Sequence, residues 1–262
     1  MSGVQWWCSA RGTPWIWSWQ AYPGIWLVTV AAGAAVRRRP PALVGGLLLW
    51  AALDWPLGPL GTGYLASAHA VQFIVLAMVV PPLLLLGVDR EAVNRWLPRH
   101  PGYRRLAAVT TQPLLAAIAF TIVMGATHVP WVVDTLMARQ VGTMALDLSW
   151  LGAGLVFWWP VVVGTPARGW FHPLAQLLYL FAGTQAHLLI AMWLLTAEFP
   201  LYATYELAPR VVRLSALDDQ RLAGAIMIAV TEPLILTIIG VIFFRWVARS
   251  ERGAEESGGQ PA

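Results

Sequence analysis

Apolar residues run through this chain in long blocks separated by short polar, arginine-bearing or proline-rich intervals, the pattern expected of helices that cross a membrane. Seven blocks predict seven helices, at about Tyr22–Val36, Ala42–Trp55, Tyr64–Gly87, Leu106–Thr127, Val141–Val163, Pro173–Ala197 and Leu222–Val247. The first two are short, and the second is extended by an apolar run to Gly63. The third organises the rest. Its 24 residues carry no formal charge, and at 1.5 Å per residue they span about 36 Å of helix against a hydrocarbon layer of about 30 Å. Yet it holds His69 and Gln72 in its first turns and Pro81-Pro82 in its far half. A polar side chain in lipid needs a partner inside the protein, and a proline deprives the carbonyl four residues back, that of Ala77, of its donor. A plain anchor needs neither feature. The block therefore predicts a helix packed inside a bundle, with a polar spot near its start.

Counting arginines in alternate intervals orients the seven blocks. Of the 17 basic residues, 12 fall on the side of the C-terminus and 5 on the side of the N-terminus, which predicts a cytoplasmic C-terminus and an outer N-terminus. His69, Gln72, His128, Asp147 and His187 then all lie toward the outer face. The chain divides into a Trp-rich N-terminal segment, 1–21, expected at the membrane–water interface; a seven-helix membrane domain, 22–248; and a polar, Gly-rich tail, 249–262, expected to be disordered.

Composition agrees with the pattern. The chain is 58% hydrophobic and 11% charged, with a mean hydropathy of +0.62, where soluble domains carry roughly 25% charged residues. The expected class is an all-α polytopic integral membrane protein. Its net charge of +4 is thus no nucleic-acid footprint, and the basic, aromatic-laced stretch Arg90–Arg105 reads as contact with anionic membrane lipid. Cys8 is the single cysteine, so neither an internal disulfide nor a thiolate pair for a metal is available.

The candidate chemistry lies in a few polar side chains. His69 and Gln72 share a helix face, and Met124 and His128, four apart, share another. Imidazole suits copper or zinc, and thioether sulfur favours Cu(I); the alternative is that His69 meets a backbone carbonyl and Met124 fills a gap. Asp147 stands within an apolar run, where an unpaired carboxylate costs around 3 kcal/mol, so it needs a partner or a proton. His187 and Glu232, the latter followed by Pro233, pose the same question and with Asp147 would form the core of a proton or small-molecule transporter. Phe157-Trp158-Trp159-Pro160 reads as an aromatic belt with a helix stop. No nucleophile elbow, phosphate-binding Gly loop, HExxH or CxxCH is present, so the expected role is non-enzymatic and no haem is expected.

Several of these stretches are familiar together. Ser67-Ala-His69-Ala-Val-Gln72 with Pro81-Pro-Leu-Leu-Leu-Leu-Gly87 resembles the third helix of the CtaG-like cytochrome c oxidase assembly proteins of bacteria. Thr127-His128-Val-Pro130 resembles their His-x-Pro, Leu155-Val-Phe-Trp158-Trp159-Pro160 their Trp-Trp-Pro, and Leu214-Ser-Ala-Leu-Asp218-Asp219-Gln220-Arg-Leu-Ala-Gly224 their approach to the last helix. The matches run in the same order from Tyr64 to Arg252. The resemblance implies a plasma-membrane protein that helps mature a haem–copper oxidase, a role usually assigned to copper insertion, with oxidase subunits as partners. His69 and His128 are the matching histidines. Two departures mark a divergent member: Phe73 stands where a second His commonly follows the Gln, and no His occurs between Arg139 and Ser149, where Asp147 stands. The expected site is copper on His69 and His128 with Met124 nearby, supported by Gln72, Asp147, His187 and Glu232. The alternative is a metal-free scaffold that contacts oxidase subunits and lipid.

Overall fold

The computed structural model describes residues 5–35, 39–110, 112–164 and 171–258, and every regular element among them is helical. In chain order these are α1 (Pro23–Ala35), α2 (Pro40–Leu53), α3 (Leu57–Gly63), α4 (Ala66–Leu85), α5 (Arg90–Trp96), α6 (Pro101–Thr110), α7 (Pro113–Thr127), α8 (Pro130–Met137), α9 (Gln140–Val162), α10 (Pro173–Thr196), α11 (Ala203–Glu206) and α12 (Ala216–Gly258). Proline opens α1, α2, α6, α7, α8 and α10, where its missing N–H costs nothing and its fixed φ suits the first turn.

Among the described residues four helices, α4, α9, α10 and α12, are long and apolar enough to cross a membrane alone, and up to six crossings result if α2–α3 and α6–α7 each count as one broken span. The sequence pattern predicts seven, and that count is not confirmed. The shortfall lies in α1, whose 13 residues rise about 20 Å, short of a hydrocarbon layer of about 30 Å. The apolar run after Trp55 is the helix α3, set at 45° to α2. Arg37 and Arg38, expected to close the first helix, lie outside the described residues, as do residues 259–262 of the tail. The tail residues described continue α12 as helix to Gly258, past the Arg249 boundary at which disorder was expected.

Helix directions alternate as contacts at the two ends show. Trp6 and Trp7 bond the first residue of α9, and Asp219 at the start of α12 bonds the start of α4. At the other end Arg39 reaches the Leu86 carbonyl and Arg90 the Val162 carbonyl. The N-terminal segment and the last turns of α12 therefore lie at opposite ends of the bundle.

Helix α4 is the central element. Its middle, Val75–Val79, widens into a π turn just before Pro81-Pro82, a common accommodation where the regular ladder is broken. Pro81 has no N–H for the Ala77 carbonyl, and α9 comes closest at that point. A Cβ on Gly154 would stand 2.5 Å from the Ala77 oxygen and 2.6 Å from Pro81 Cγ, so only glycine allows this approach. Below this crossing Phe157 stacks on Phe120 and Tyr179 at 4.5 and 4.9 Å, and Tyr179 donates to the Phe157 carbonyl at 2.7 Å. Phe157 and Trp158 are fully buried. The expected aromatic belt is corrected here: Phe157 packs among Phe120, Tyr179 and Gly183, and Trp158 is buried beside it, so the two rings form core.

Gly154→Ala should destabilise the bundle by about 1–3 kcal/mol, the range for overpacking a tight contact. Gly152→Ala, whose Cβ meets nothing within 4 Å, should be neutral or slightly stabilising. Thermal melts of both variants in detergent test this; equal melting of the two would refute the close-approach account.

Candidate functional site

The end of the bundle where α4 and α12 begin is closed by short elements: α3, α8, α11 and the N-terminal segment. The start of α4 is held from α12. Asp219, buried, accepts from the Ala66 N–H at 2.6 Å, the Ser67 N–H at 3.4 Å and the Ser67 hydroxyl at 2.5 Å. These are orphan donors of a helix N-terminus, normally capped by a neighbour in sequence; here the cap comes from 152 residues away. Gln220, next along α12, accepts from the Leu201 N–H at 2.7 Å. Asp134 of α8 likewise caps α11, taking the N–H groups of Ala203 and Thr204 and the Thr204 hydroxyl. Tyr202 and Tyr205 then donate to the carbonyls of His128 and Gly61 at 2.9 and 2.7 Å. Burial, aided by the Asp134 charge, raises the Tyr202 hydroxyl well above its ordinary range, so it stays a donor.

Within this roof lie the residues singled out in the sequence. His69 is buried against Trp150, ring centroids 4.8 Å apart, and Tyr205, 5.9 Å. Neither of its ring nitrogens has a hydrogen-bond partner among the described residues. His128 packs on the same indole at 6.1 Å, and its Nδ1 lies 2.7 Å from the Met124 carbonyl. That contact makes Nδ1 the protonated nitrogen and leaves the lone pair on Nε2. The two imidazoles thus meet through Trp150, whose Nε1 is held by the Thr127 hydroxyl at 2.9 Å. Met124 is fully buried one turn before His128. Phe73, at the position of the missing histidine, lies edge-on to His128 at 4.9 Å.

Asp147 has partners, as its place in an apolar run demands. It accepts from Trp7 Nε1 at 2.8 Å and Gln72 Nε2 at 3.2 Å. The two hydrogen bonds contribute about 0.5–3 kcal/mol each, the upper end applying only to a charged acceptor, against an insertion penalty of about 3 kcal/mol for the ionised group. Trp7 corrects the interfacial reading of the N-terminal cluster. Trp17 and Trp19 are exposed, but Trp7 is 1% exposed and turned into the bundle, because Asp147 needs a donor and the segment supplies one. The segment is pinned by Gln140 Oε1, which accepts from the Trp6 and Trp7 N–H groups, and by the Ala10 N–H on the Met137 carbonyl at 2.9 Å.

The remaining polar residues do not join this group. His187 of α10 places Nε2 3.7 Å from Glu232 Oε1 of α12, with Nδ1 on the Thr184 carbonyl. Among the described residues no contact links that pair to Asp147, so the three acids and bases of a transporter do not form one chain of contacts. Nor do three or more His, Cys, Asp or Glu side chains among the described residues group so as to hold a metal ion. Sequence reasoning missed Trp7, Trp150 and Tyr205, and it quoted Asp219 within a family-like stretch without its capping role. The need of Asp147 for a donor pointed toward the first; the others act across large sequence separations.

Asp219→Ala should cost about 1–2 kcal/mol through the lost cap of α4, read as a lower detergent melting temperature with Asp218→Ala, exposed and, among the described residues, bonded only to nearby Ser215, as control. Identical melting of the two would count against the cap. Cys8 should resist N-ethylmaleimide at pH 7.5 in the folded protein and react once the chain is unfolded in detergent. Burial first, then the Asp147 and Asp54 charges, raise its thiol well above the ordinary range, so little thiolate exists. Rapid labelling of folded protein would contradict the burial.

Comparison with known proteins places this arrangement. The chain is 26% identical over 267 residues to an uncharacterized protein of Mycobacterium bovis, a match covering 91% of this chain and 40% of that one, and equally to one of Mycobacterium tuberculosis. An uncharacterized protein of Mycobacterium leprae is 24% identical over 206 residues, 72% of this chain and 31% of its own. The chain thus spans about two fifths of the length of the first curated relatives it matches. No solved structure matches. The family described as cytochrome c oxidase caa3 assembly factor matches over residues 11–249, nearly the whole bundle described above, and the chain belongs to that family.

Proposed function

We propose that this chain acts in the biogenesis of a haem–copper cytochrome c oxidase in a bacterial plasma membrane, holding Cu(I) as cargo at the end of the bundle roofed by α11 and the N-terminal segment, for transfer to a nascent oxidase subunit. On this reading that end is the outer face. The observation that carries the proposal is His69: a buried imidazole with both nitrogens unpartnered, beside a second imidazole whose Nδ1 is tied back and whose Nε2 is left for a ligand. Leaving a buried polar group unpaired costs roughly 1–3 kcal/mol, and that cost is consistent with a ligand as partner. Imidazole and thioether donors suit Cu(I), and a site without thiolate releases it readily. The role is non-catalytic: the residues bind and release an ion.

A second reading, a metal-free scaffold for oxidase subunits, is favoured by the lack of a grouping of three His, Cys, Asp or Glu side chains among the described residues and by Phe73 in place of histidine. One experiment separates the two. The full chain in nanodiscs, titrated with Cu(I) against a chromogenic chelator, should take up about one ion per chain. His69→Ala/His128→Ala should weaken binding at least about tenfold, the least effect expected when even the support of a ligand is disturbed. Phe73→His, placed against His128, should strengthen it. No stoichiometric uptake by the unaltered chain, together with normal oxidase assembly in cells carrying the stably inserted double variant, would overturn the copper reading and establish the scaffold.

A further inference from the structure

At the opposite end of the bundle α12 parts from its neighbours. Its first turns are held on both neighbours: Asp219 bonds the start of α4, and a Cβ on Gly224 would press on Ala191 and Leu195 of α10. Toward its arginine-bearing end a cleft of about 1250 Å³ opens between it, the second half of α4, the end of α9 and the start of α10. The walls are apolar, with Met78, Leu83, Trp158 and Phe171 facing Ile238 and Ile242 of α12.

The order of residues along α12 gives the cleft its chemistry. Leu234, Ile238, Ile242, Arg245, Arg249 and Arg252 all line it, and their spacing of three or four places them on one stripe of the helix. The stripe is apolar for its first half and basic for its second. From Leu234 to Ile242 it rises about 12 Å, within the roughly 15 Å hydrocarbon depth of one leaflet. Arg249 and Arg252 spend their Nε on carbonyls of their own helix, those of Arg245 and Ala248, at 3.0 Å, which leaves their terminal nitrogens as donors. His172 also lines the cleft, against Trp246. Arg90 at the rim is already engaged with the Val162 carbonyl. No carboxylate lines the cleft among the described residues; Glu251, the nearest acid along α12, lies off the stripe.

We infer that this cleft is a binding site for an anionic phospholipid, its acyl chain along Ile238 and Ile242 and its phosphate on Arg245, Arg249 and Arg252. A buried peptide helix would meet the apolar walls equally well, but three arginines on a cleft that no carboxylate lines among the described residues favour a negative partner at the lipid–water boundary; Glu255 and Glu256 follow only beyond Arg252. Guanidinium is the side chain best matched to phosphate oxygens. The inference does not depend on the copper reading.

The test is native mass spectrometry of the delipidated full chain released from detergent after equilibration with equal amounts of dioleoyl phosphatidylglycerol and dioleoyl phosphatidylcholine. One phosphatidylglycerol per chain should be retained in clear preference. Each arginine near a membrane surface contributes about fivefold, so Arg245→Gln/Arg249→Gln/Arg252→Gln should abolish the preference. Arg95→Gln/Arg99→Gln, on the neighbouring basic stretch, should keep it. Should the triple variant fail to fold, the single variants should each lower the preference about fivefold. Equal retention of the two lipids by the unaltered chain, a preference that survives the substitutions in folded protein, or a lipid-free dimer would overturn the inference.

Discussion

Asp147 sets the terms for the end of the bundle that holds His69 and His128. A carboxylate two turns into an apolar helix has to be paired, and no cation bonds it among the described residues. Its needs are met by two neutral donors of different origin: Gln72 from the central helix and Trp7 from a segment that precedes the bundle. The second bond draws the N-terminal segment inward, and with it the backbone bonds from Trp6, Trp7 and Ala10 to α9 and the end of α8. Without this carboxylate nothing would oblige an indole to leave the interface.

The same logic runs through the other polar contacts. Asp219 and Asp134 cap helices to which they are not adjacent in sequence, and Tyr202 and Tyr205 tie the roof to the carbonyls of His128 and Gly61. Each buried bond satisfies a backbone group that a membrane interior leaves without water. The result is an aromatic chamber in which both ring nitrogens of His69 lack a partner among the described residues. That makes His69 the residue to test.

The two ends of the bundle differ in kind. One is closed by hydrogen-bonded caps and aromatic packing; the other lets α12 splay away behind an apolar cleft with an arginine edge. At the second end lipid can fill what side chains do not.

Much was legible in the chain alone. The apolar blocks established the membrane class, and the 64–87 block was identified as the central helix because an anchor has no use for His69, Gln72 and Pro81-Pro82 together. Asp147 declared that it needed a partner or a proton, since desolvation is a property of the residue and its surroundings in sequence. What local pattern could not supply was the identity of partners. That Trp7 answers Asp147, that Asp219 caps α4, that Trp150 stands against both histidines, and that Phe157 and Trp158 form core instead of a belt all depend on helix rotation and on how a distant segment returns. Periodicity says which residues must be buried or paired; only the packed bundle, where 152 residues of chain close to a single hydrogen bond, decides with whom.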